Sequence, residues 1–148
     1  MITCDELFSV WTLDAELKRE KQRCLDLKIL AESTTKYLDG MPRSNNVASK
    51  VEKFALAITE CKNKINSLAE QILQQKIFLT TKLQSFGLPD IQRRILNYHY
   101  VATLPFKAIA KLLHYTTRHV NNLHEKAIKA LGLSDEEIAS FKISKHFL

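Results

Sequence analysis

Two runs of apolar side chains, spaced alternately three and four residues apart, mirror each other within the first 86 residues. The first passes through Val10, Leu13, Leu17, Glu20, Cys24, Leu27, Ala31, Thr34 and Leu38. The second passes through Val47, Val51, Phe54, Ile58, Cys61, Ile65, Leu68, Ile72, Gln75 and Leu79. Such spacing puts each run on one face of an α-helix, and its persistence in the second run is a heptad pattern. Positions whose numbers sum to 85 fall stripe on stripe: Leu38 with Val47, Ala31 with Phe54, Leu27 with Ile58, Cys24 with Cys61, Leu17 with Leu68, Leu13 with Ile72. An antiparallel helical hairpin requires that register. Thr3-x-x-Glu6 reads as a capping box at its start, with Ile2 and Leu7 placed as a hydrophobic staple. Asp39-Gly40-Met41-Pro42 reads as its loop, Gly40 suiting a left-handed cap and Pro42 blocking continuation. Each arm has about 36 residues, or roughly 54 Å at the helical rise.

A lone hairpin buries only one face of each helix. Trp11, Leu25, Ile29, Leu30, Leu56, Leu73 and Ile77 lie off the seam and leave a second apolar surface. Its expected use is packing against another copy, so residues 1–86 are expected to form a homodimer. The alternative is that these side chains cover the C-terminal region of the same chain. Composition agrees with long helices: 148 residues contain only three glycines and three prolines, with 45% apolar side chains. No run of 18 apolar residues occurs, so no membrane span is expected. The N-terminus has no basic-then-apolar leader, and a cytoplasmic location is expected. Cys4, Cys24 and Cys61 form no C-x-x-C pair and read as small apolar residues.

The charge is concentrated elsewhere. Residues 1–86 hold 13 basic and 11 acidic side chains. Residues 91–131 hold seven basic ones (Arg93, Arg94, Lys107, Lys111, Arg118, Lys126, Lys129) against Glu125 alone, a balance of +6 that equals the net charge of the whole chain. A compact basic patch on a balanced chain is a footprint for polyanions.

In that segment the pattern shortens. Pro89 and Pro105 suit the first turns of two short helices, with Ile91, Ile95, Leu96 and Tyr100 buried from one and Phe106, Ile109, Ala110 and Leu113 from the other. His114-Tyr115 turns the chain, and Thr116 is placed to cap a third helix that buries Val120, Leu123, Ala127, Ile128 and Leu131. Opposite that face lie Thr117, Arg118, Asn121 and Asn122, with His119 and His124 near its flanks. Arginine pairs bidentately with guanine and asparagine with adenine when a helix enters the major groove. Thr117, Arg118, Asn121 and Asn122 are therefore the candidate base-reading residues on double-stranded DNA. Arg94, Lys107, Lys111, Thr116, His119 and Lys126 are the candidate contacts to its backbone. The expected division is a helical hairpin over 1–86, a helix-turn-helix domain over 87–133, and a short helix and tail over 134–148, opened by the capping box Ser134-x-x-Glu137.

Residues 88–131 resemble region 4 of bacterial sigma factors. The resemblance rests on Phe106-Lys107-Ala108-Ile109-Ala110-Lys111-Leu112-Leu113 followed by Tyr115-Thr116-Thr117-Arg118-His119-Val120-Asn121-Asn122-Leu123. It implies that Thr117, Arg118, Asn121 and Asn122 face the bases. Two of these positions are commonly charged in primary sigma factors and differ here, so the promoter element those factors read is not implied. The whole chain is similar to small phage and prophage proteins that join a coiled-coil hairpin to such a domain. Their Met-Pro-Arg loop is matched by Met41-Pro42-Arg43. These sit with late-gene transcription regulators of the RinA and ArpU kind, which implies control of phage or mobile-element genes in a bacterial host cell.

The fold expected is therefore all-α, a long antiparallel two-helix hairpin followed by a small sigma-region-4-like helix-turn-helix domain. The function expected is a sequence-specific DNA-binding transcription regulator. A phage DNA-packaging recognition subunit, built as a ring, is one alternative. A module that binds RNA polymerase or another protein is a second. No enzymatic activity, metal or cofactor is expected. His124-Glu125 lacks the second histidine of a zinc-protease helix, because Ile128 stands there. His114, His119 and His124 recur every five residues and do not share a helical face.

Overall fold

The computed structural model describes residues 2–38 and 45–145. The Asp39-Gly40-Met41-Pro42-Arg43-Ser44 loop, the side chains of the Leu38–Val47 rung and the tail past residue 145 lie outside the described residues. Every regular element among them is helical: α1 (Cys4–Leu7), α2 (Ser9–Leu38), α3 (Asn45–Gln84), α4 (Asp90–Leu96), α5 (Phe106–Leu113), α6 (Thr117–Ala130) and α7 (Asp135–Ser144). The protein is thus all-α, a long helical hairpin followed by a small helix-turn-helix domain. By packing, the chain divides into two compact units, Leu13–Ile72, and Met1–Thr12 with Leu73–Leu148.

The first unit is the body of the hairpin. Glu20 on α2 meets Lys64 on α3 at 3.6 Å and Arg23 on its own helix at 3.6 Å. Burial raises the Cys61 thiol above its ordinary value, and the nearby Glu20 and Cys24 add to that. Leu27 and Thr34 line one groove with Lys50, Lys53, Phe54 and Ala57. These pairings run antiparallel and place Cys24 beside Cys61, in the register of the mirrored stripes. The seam is thin: Cys24, Cys61, Leu68 and Ile72 are buried, at 3–9% exposure. Glu20, the polar break in the first stripe, is buried with them at 8%. Val51 departs from its stripe and is 45% exposed, so the seam weakens towards that end of α3.

The second unit holds the main core. Leu7, Phe8, Val10, Leu79, Leu83, Ile95, Leu96, Tyr100, Ile109, Val120 and Ile128 are all fully buried in it. Thr3 caps α1 with the expected reciprocal bonds to Glu6, and Ile2 and Leu7 are both buried. The helix expected to run on from that cap is interrupted at Phe8, whose φ of −92° and ψ of 8° leave the helical range. The ring of Phe8 stacks on Phe141 (centroids 5.0 Å apart) and meets Tyr100 edge-on at 5.2 Å. Glu6 pairs with Lys82 at 2.7 Å, and that hydrogen bond holds its carboxyl below the usual range.

Pro89 and Pro105 sit one residue outside α4 and α5 and act as N-caps. After Leu96 the chain widens into a π turn over Asn97–Val101, where the Ala102 N–H donates to Asn97 O at 3.0 Å. Thr103 then takes a left-handed φ of 57°. Gly132 (φ 84°) ends α6 in a Schellman motif, with the Leu133 N–H donating to Ile128 O at 3.1 Å. Ser134 and Glu137 form the second capping box and open α7.

Candidate nucleic-acid interface

The turn between α5 and α6 determines what α6 presents. His114 takes the left-handed conformation (φ 58°, ψ 38°), an uncommon one for a residue with a Cβ. It reverses the chain so that Thr116 falls at the N-cap of α6, where its hydroxyl accepts from the His119 N–H at 3.2 Å. The two helices then share a core of Ile95, Ile109, Ala110 and Val120, with Ile91, Tyr98, Leu104, Phe106, Leu113 and Leu123 packed around it.

Burying Val120, Ala127 and Ile128 leaves the opposite face of α6 to solvent. Thr117, Arg118, Asn121 and Asn122 are all exposed on it, as are Thr116, His119, Glu125, Lys126 and Lys129. Lys107 and Lys111 on α5 and Arg94 on α4 are exposed as well. The ten candidate residues thus all reach solvent, the four base-reading candidates together on the first turns of one helix.

Charge pairing separates the cations of this segment. Arg93 is joined to Asp90 at 2.6 Å. Among the described residues, no carboxylate lies within ion-pair distance of Arg94, Lys107, Lys111, Arg118, Lys126 or Lys129. The basic excess is therefore uncompensated at its surface, which is the state in which cations displace counterions from a polyanion.

His99 and His124 fall within the basic segment but are not part of that surface. His124, expected near the flank of the polar face, is 6% exposed, and its Nε2 shares a 2.8 Å hydrogen bond with the Tyr100 hydroxyl. His99 is 3% exposed and stacks on Phe106 with centroids 4.2 Å apart. His99 Nδ1 lies 2.8 Å from Leu104 O; a carbonyl only accepts, so this nitrogen carries the proton. Its Nε2 is buried with no hydrogen-bond partner among the described residues. Trp11 Nε1 donates to the His99 carbonyl at 2.8 Å. Trp11 therefore docks here and is no part of a surplus apolar surface. Burial pushes His99 down to about 4 and His124 to about 3, with the nearby Lys142 ammonium adding to both. Burial lowers Lys142 as well, its Nζ lying over the rings of Phe106 (5.7 Å) and Phe8 (6.0 Å). These imidazoles are neutral core groups that support the helix-turn-helix from behind. Residue type gave no sign of it, but spacing did: position 124 lies on the apolar stripe of α6, four residues after Val120 and four before Ile128.

Two tyrosines that sequence reasoning left out of the site belong to its edge. Tyr98 accepts a hydrogen bond from Arg94 Nη2 at 3.3 Å. Tyr115 sets its ring edge-on to His119, with centroids 4.8 Å apart and planes at 90°.

Residues 86–132, about a third of the chain, match the family model described as sigma-70, region 4. The matched segment runs from Phe86 through α4, α5 and α6 and ends at Gly132. It supports a sigma-region-4-like helix-turn-helix, and with it DNA binding. Comparison with curated proteins and with solved structures returned no match. No helix among the described residues is long and apolar enough to cross a membrane, and none of them form a cluster of metal-ligating side chains.

Proposed function

We propose that the protein is a sequence-specific DNA-binding transcription regulator that inserts α6 into the major groove. In this reading Thr117, Arg118, Asn121 and Asn122 contact base edges, and Arg94, Lys107, Lys111, Thr116, His119 and Lys126 contact the backbone. The observation that carries it is the unpaired basic surface around a solvent-facing row of hydrogen-bonding side chains on a sigma-region-4-like helix. The role is one of binding, without catalysis. The Met41-Pro42-Arg43 motif and its order before a heptad helix and a helix-turn-helix, the pattern that resembles phage regulators of the RinA and ArpU kind, support phage or mobile-element genes as the target. The exposed Leu25, Ile29, Leu30 and Leu56 support a homodimer formed through the hairpin.

The test compares the operator, found by genome-wide mapping of bound DNA, with scrambled duplex across a salt series. Arg118→Ala or Asn121→Ala should cost about 1–3 kcal/mol on the operator and relax base preference there. Lys111→Ala should weaken both DNAs alike and lower the salt slope by about one phosphate contact. If neither Arg118→Ala nor Asn121→Ala changes the ratio of the two affinities, α6 does not read bases. Docking on RNA polymerase or another protein is a second reading, favoured by Leu112 (57% exposed) and Tyr115 (42%) on this domain. It predicts no salt-sensitive DNA binding. A ring of eight or more copies would instead favour a packaging subunit.

A further inference from the structure

Arg94 differs from its neighbour Arg93 in one respect with consequences for anion binding. Arg93 is neutralised by Asp90 at 2.6 Å. Arg94 projects one residue further along α4, and the groups in contact with it are uncharged: the Tyr98 hydroxyl, which accepts from Nη2 at 3.3 Å, and the Tyr98 ring, 5.9 Å from Cζ; the Asp90 carboxylate acts on it only from beyond ion-pair distance. Tyr115 stands directly before the N-cap Thr116, and its ring meets His119 on the first turn of α6. Arg94 and Tyr98 thus pair on one side of the domain, and Tyr115 and His119 pair at the start of α6.

Carboxylate and phenol do different things to an arginine. A carboxylate fixes the side chain and cancels its charge, so a phosphate must displace it. A neutral hydroxyl and a π-face fix the side chain while leaving its charge and most of its five donors available. An arginine held in this way meets a phosphate without first losing rotamer freedom, a cost of about 0.5–1.5 kcal/mol for a long side chain.

We infer that Tyr98 is a positioning residue that holds Arg94 ready, with its charge intact, for a phosphate of duplex DNA. The inference rests on the DNA-binding reading given above. Tyr98→Phe is the probe, because it removes only the hydroxyl and keeps the ring that packs against the domain core.

The experiment measures binding of a mixed-sequence DNA duplex to the full-length protein over a salt series, with the melting temperature of each variant alongside. The variants are Arg94→Ala, Tyr98→Phe and the double variant Arg94→Ala/Tyr98→Phe. Arg94→Ala should reduce the slope of log affinity on log salt by about 0.9, one phosphate contact. Tyr98→Phe should weaken binding about 3- to 10-fold with the slope and melting temperature unchanged, as expected for lost preorganisation of a charge that is still present. Once Arg94 is alanine, Tyr98→Phe should have no further effect, an outcome that a purely structural role for Tyr98 would not give. Equal losses from Tyr98→Phe with and without Arg94, or no loss in either, overturn the inference and leave the DNA-binding reading intact. Wild-type protein that binds duplex without salt dependence, or does not bind it, overturns both.

Discussion

The two compact units bury their apolar residues to different depths. In Leu13–Ile72 two helices meet along one seam, whose deepest side chains are Cys24, Cys61, Leu68 and Ile72 around a buried Glu20, while Leu25, Ile29, Leu30 and Leu56 remain 50–62% exposed. In the other unit both ends of the hairpin, α4, α5, α6 and α7 close around a core with Tyr100, Phe8, Leu79 and Ile95 wholly inside. A two-helix layer has only one internal face, whereas several helices crossing at angles enclose a volume. The hairpin is therefore long and marginal by itself, and the second unit carries the stability of the monomer. The helix proposed to read DNA, α6, belongs to the second unit, where a rigid reader would have to be placed.

The sharpest way to break this contrast is to empty the core of the second unit. Phe8→Ala removes a ring packed on Tyr100 and Phe141 and should cost about 3–5 kcal/mol, the usual range for a buried aromatic. Urea denaturation followed by the single tryptophan, Trp11, reports on this unit directly, because Trp11 is bonded to the His99 carbonyl. Leu25→Ala, on the outer face of the hairpin, should change the same transition by less than about 0.5 kcal/mol. Equal effects would show that the units do not differ in this way.

The same contrast explains which parts of the molecule were legible in the sequence. The hairpin register could be read from the mirrored stripes, because a single seam obeys a single period. The capping boxes at Thr3 and Ser134 and the N-cap at Thr116 were legible too, since each is a local bond between a side chain and its own helix. The helix-turn-helix part of the second core was legible as well: Ile95, Leu96, Tyr100, Ile109, Ala110, Val120, Ala127, Ile128 and Leu131 are buried as their spacing predicts. Its closure by Phe8 and Phe141 was not, because these residues lie far apart in sequence and belong to no shared period. The break in the first helix at Phe8 follows from that packing and has no breaker residue to announce it. The turn at His114-Tyr115 was placed from the pattern, although its left-handed φ, like that of Thr103, comes without glycine. On the proposed DNA-binding surface the exposed row on α6 followed from its amphipathic pattern. The contact between Arg94 and Tyr98, four residues apart, was not singled out, because that spacing alone does not tell a paired arginine from a free one.

Acid should also separate the units. His99 and His124 are neutral in the fold, pushed down to about 4 and about 3, while unfolded imidazoles titrate near 6.5. Below that value the unfolded chain binds more protons than the folded one, so stability present above about pH 6.5 is lost as pH falls towards 4. Each imidazole contributes a slope of about 1.4 kcal/mol per pH unit. The Glu6–Lys82 pair adds a loss only below the ordinary range of a glutamate, so the interval from pH 6.5 to 5 isolates the histidines. Urea midpoints measured across that interval should fall steeply for wild type and less steeply for His124→Gln. An unchanged slope in a His99→Gln/His124→Gln double variant would remove the assignment.

A smaller effect is expected from the charged rung of the hairpin. Glu20 is buried between Arg23 and Lys64, each 3.6 Å away. At that separation the attraction offsets little of the cost of taking a carboxylate out of water. Glu20→Leu continues the apolar stripe and should leave the hairpin as stable or raise it by about 1 kcal/mol, in line with replacements of other buried ion pairs. Loss of helicity in this variant, followed by circular dichroism on heating, would show that Glu20 fixes the register and that the seam cannot do so unaided.

The smallest effect on the folding of one chain should come from the outer face of the hairpin, and there assembly is the informative readout. Leu25 and Ile29 lie one turn apart on α2, and Leu56 is exposed on α3. Serine at these positions removes no buried contact within the monomer, so stability should move by less than about 0.5 kcal/mol per site. A homodimer formed through this face would respond quite differently, because each leucine or isoleucine fully buried on association contributes about 1.5–3 kcal/mol. Three replacements on each of two chains would then exceed the binding free energy of a micromolar dimer, about 8 kcal/mol. Sedimentation of Leu25→Ser/Ile29→Ser/Leu56→Ser should therefore show monomer at concentrations where wild type is dimeric, with the Trp11-reported transition in place. A wild-type monomer at tens of micromolar would refute the dimer. An equally dimeric triple variant would move the interface elsewhere, and the exposed Leu73, Ile77 and Phe78 of α3 are then the next residues to replace.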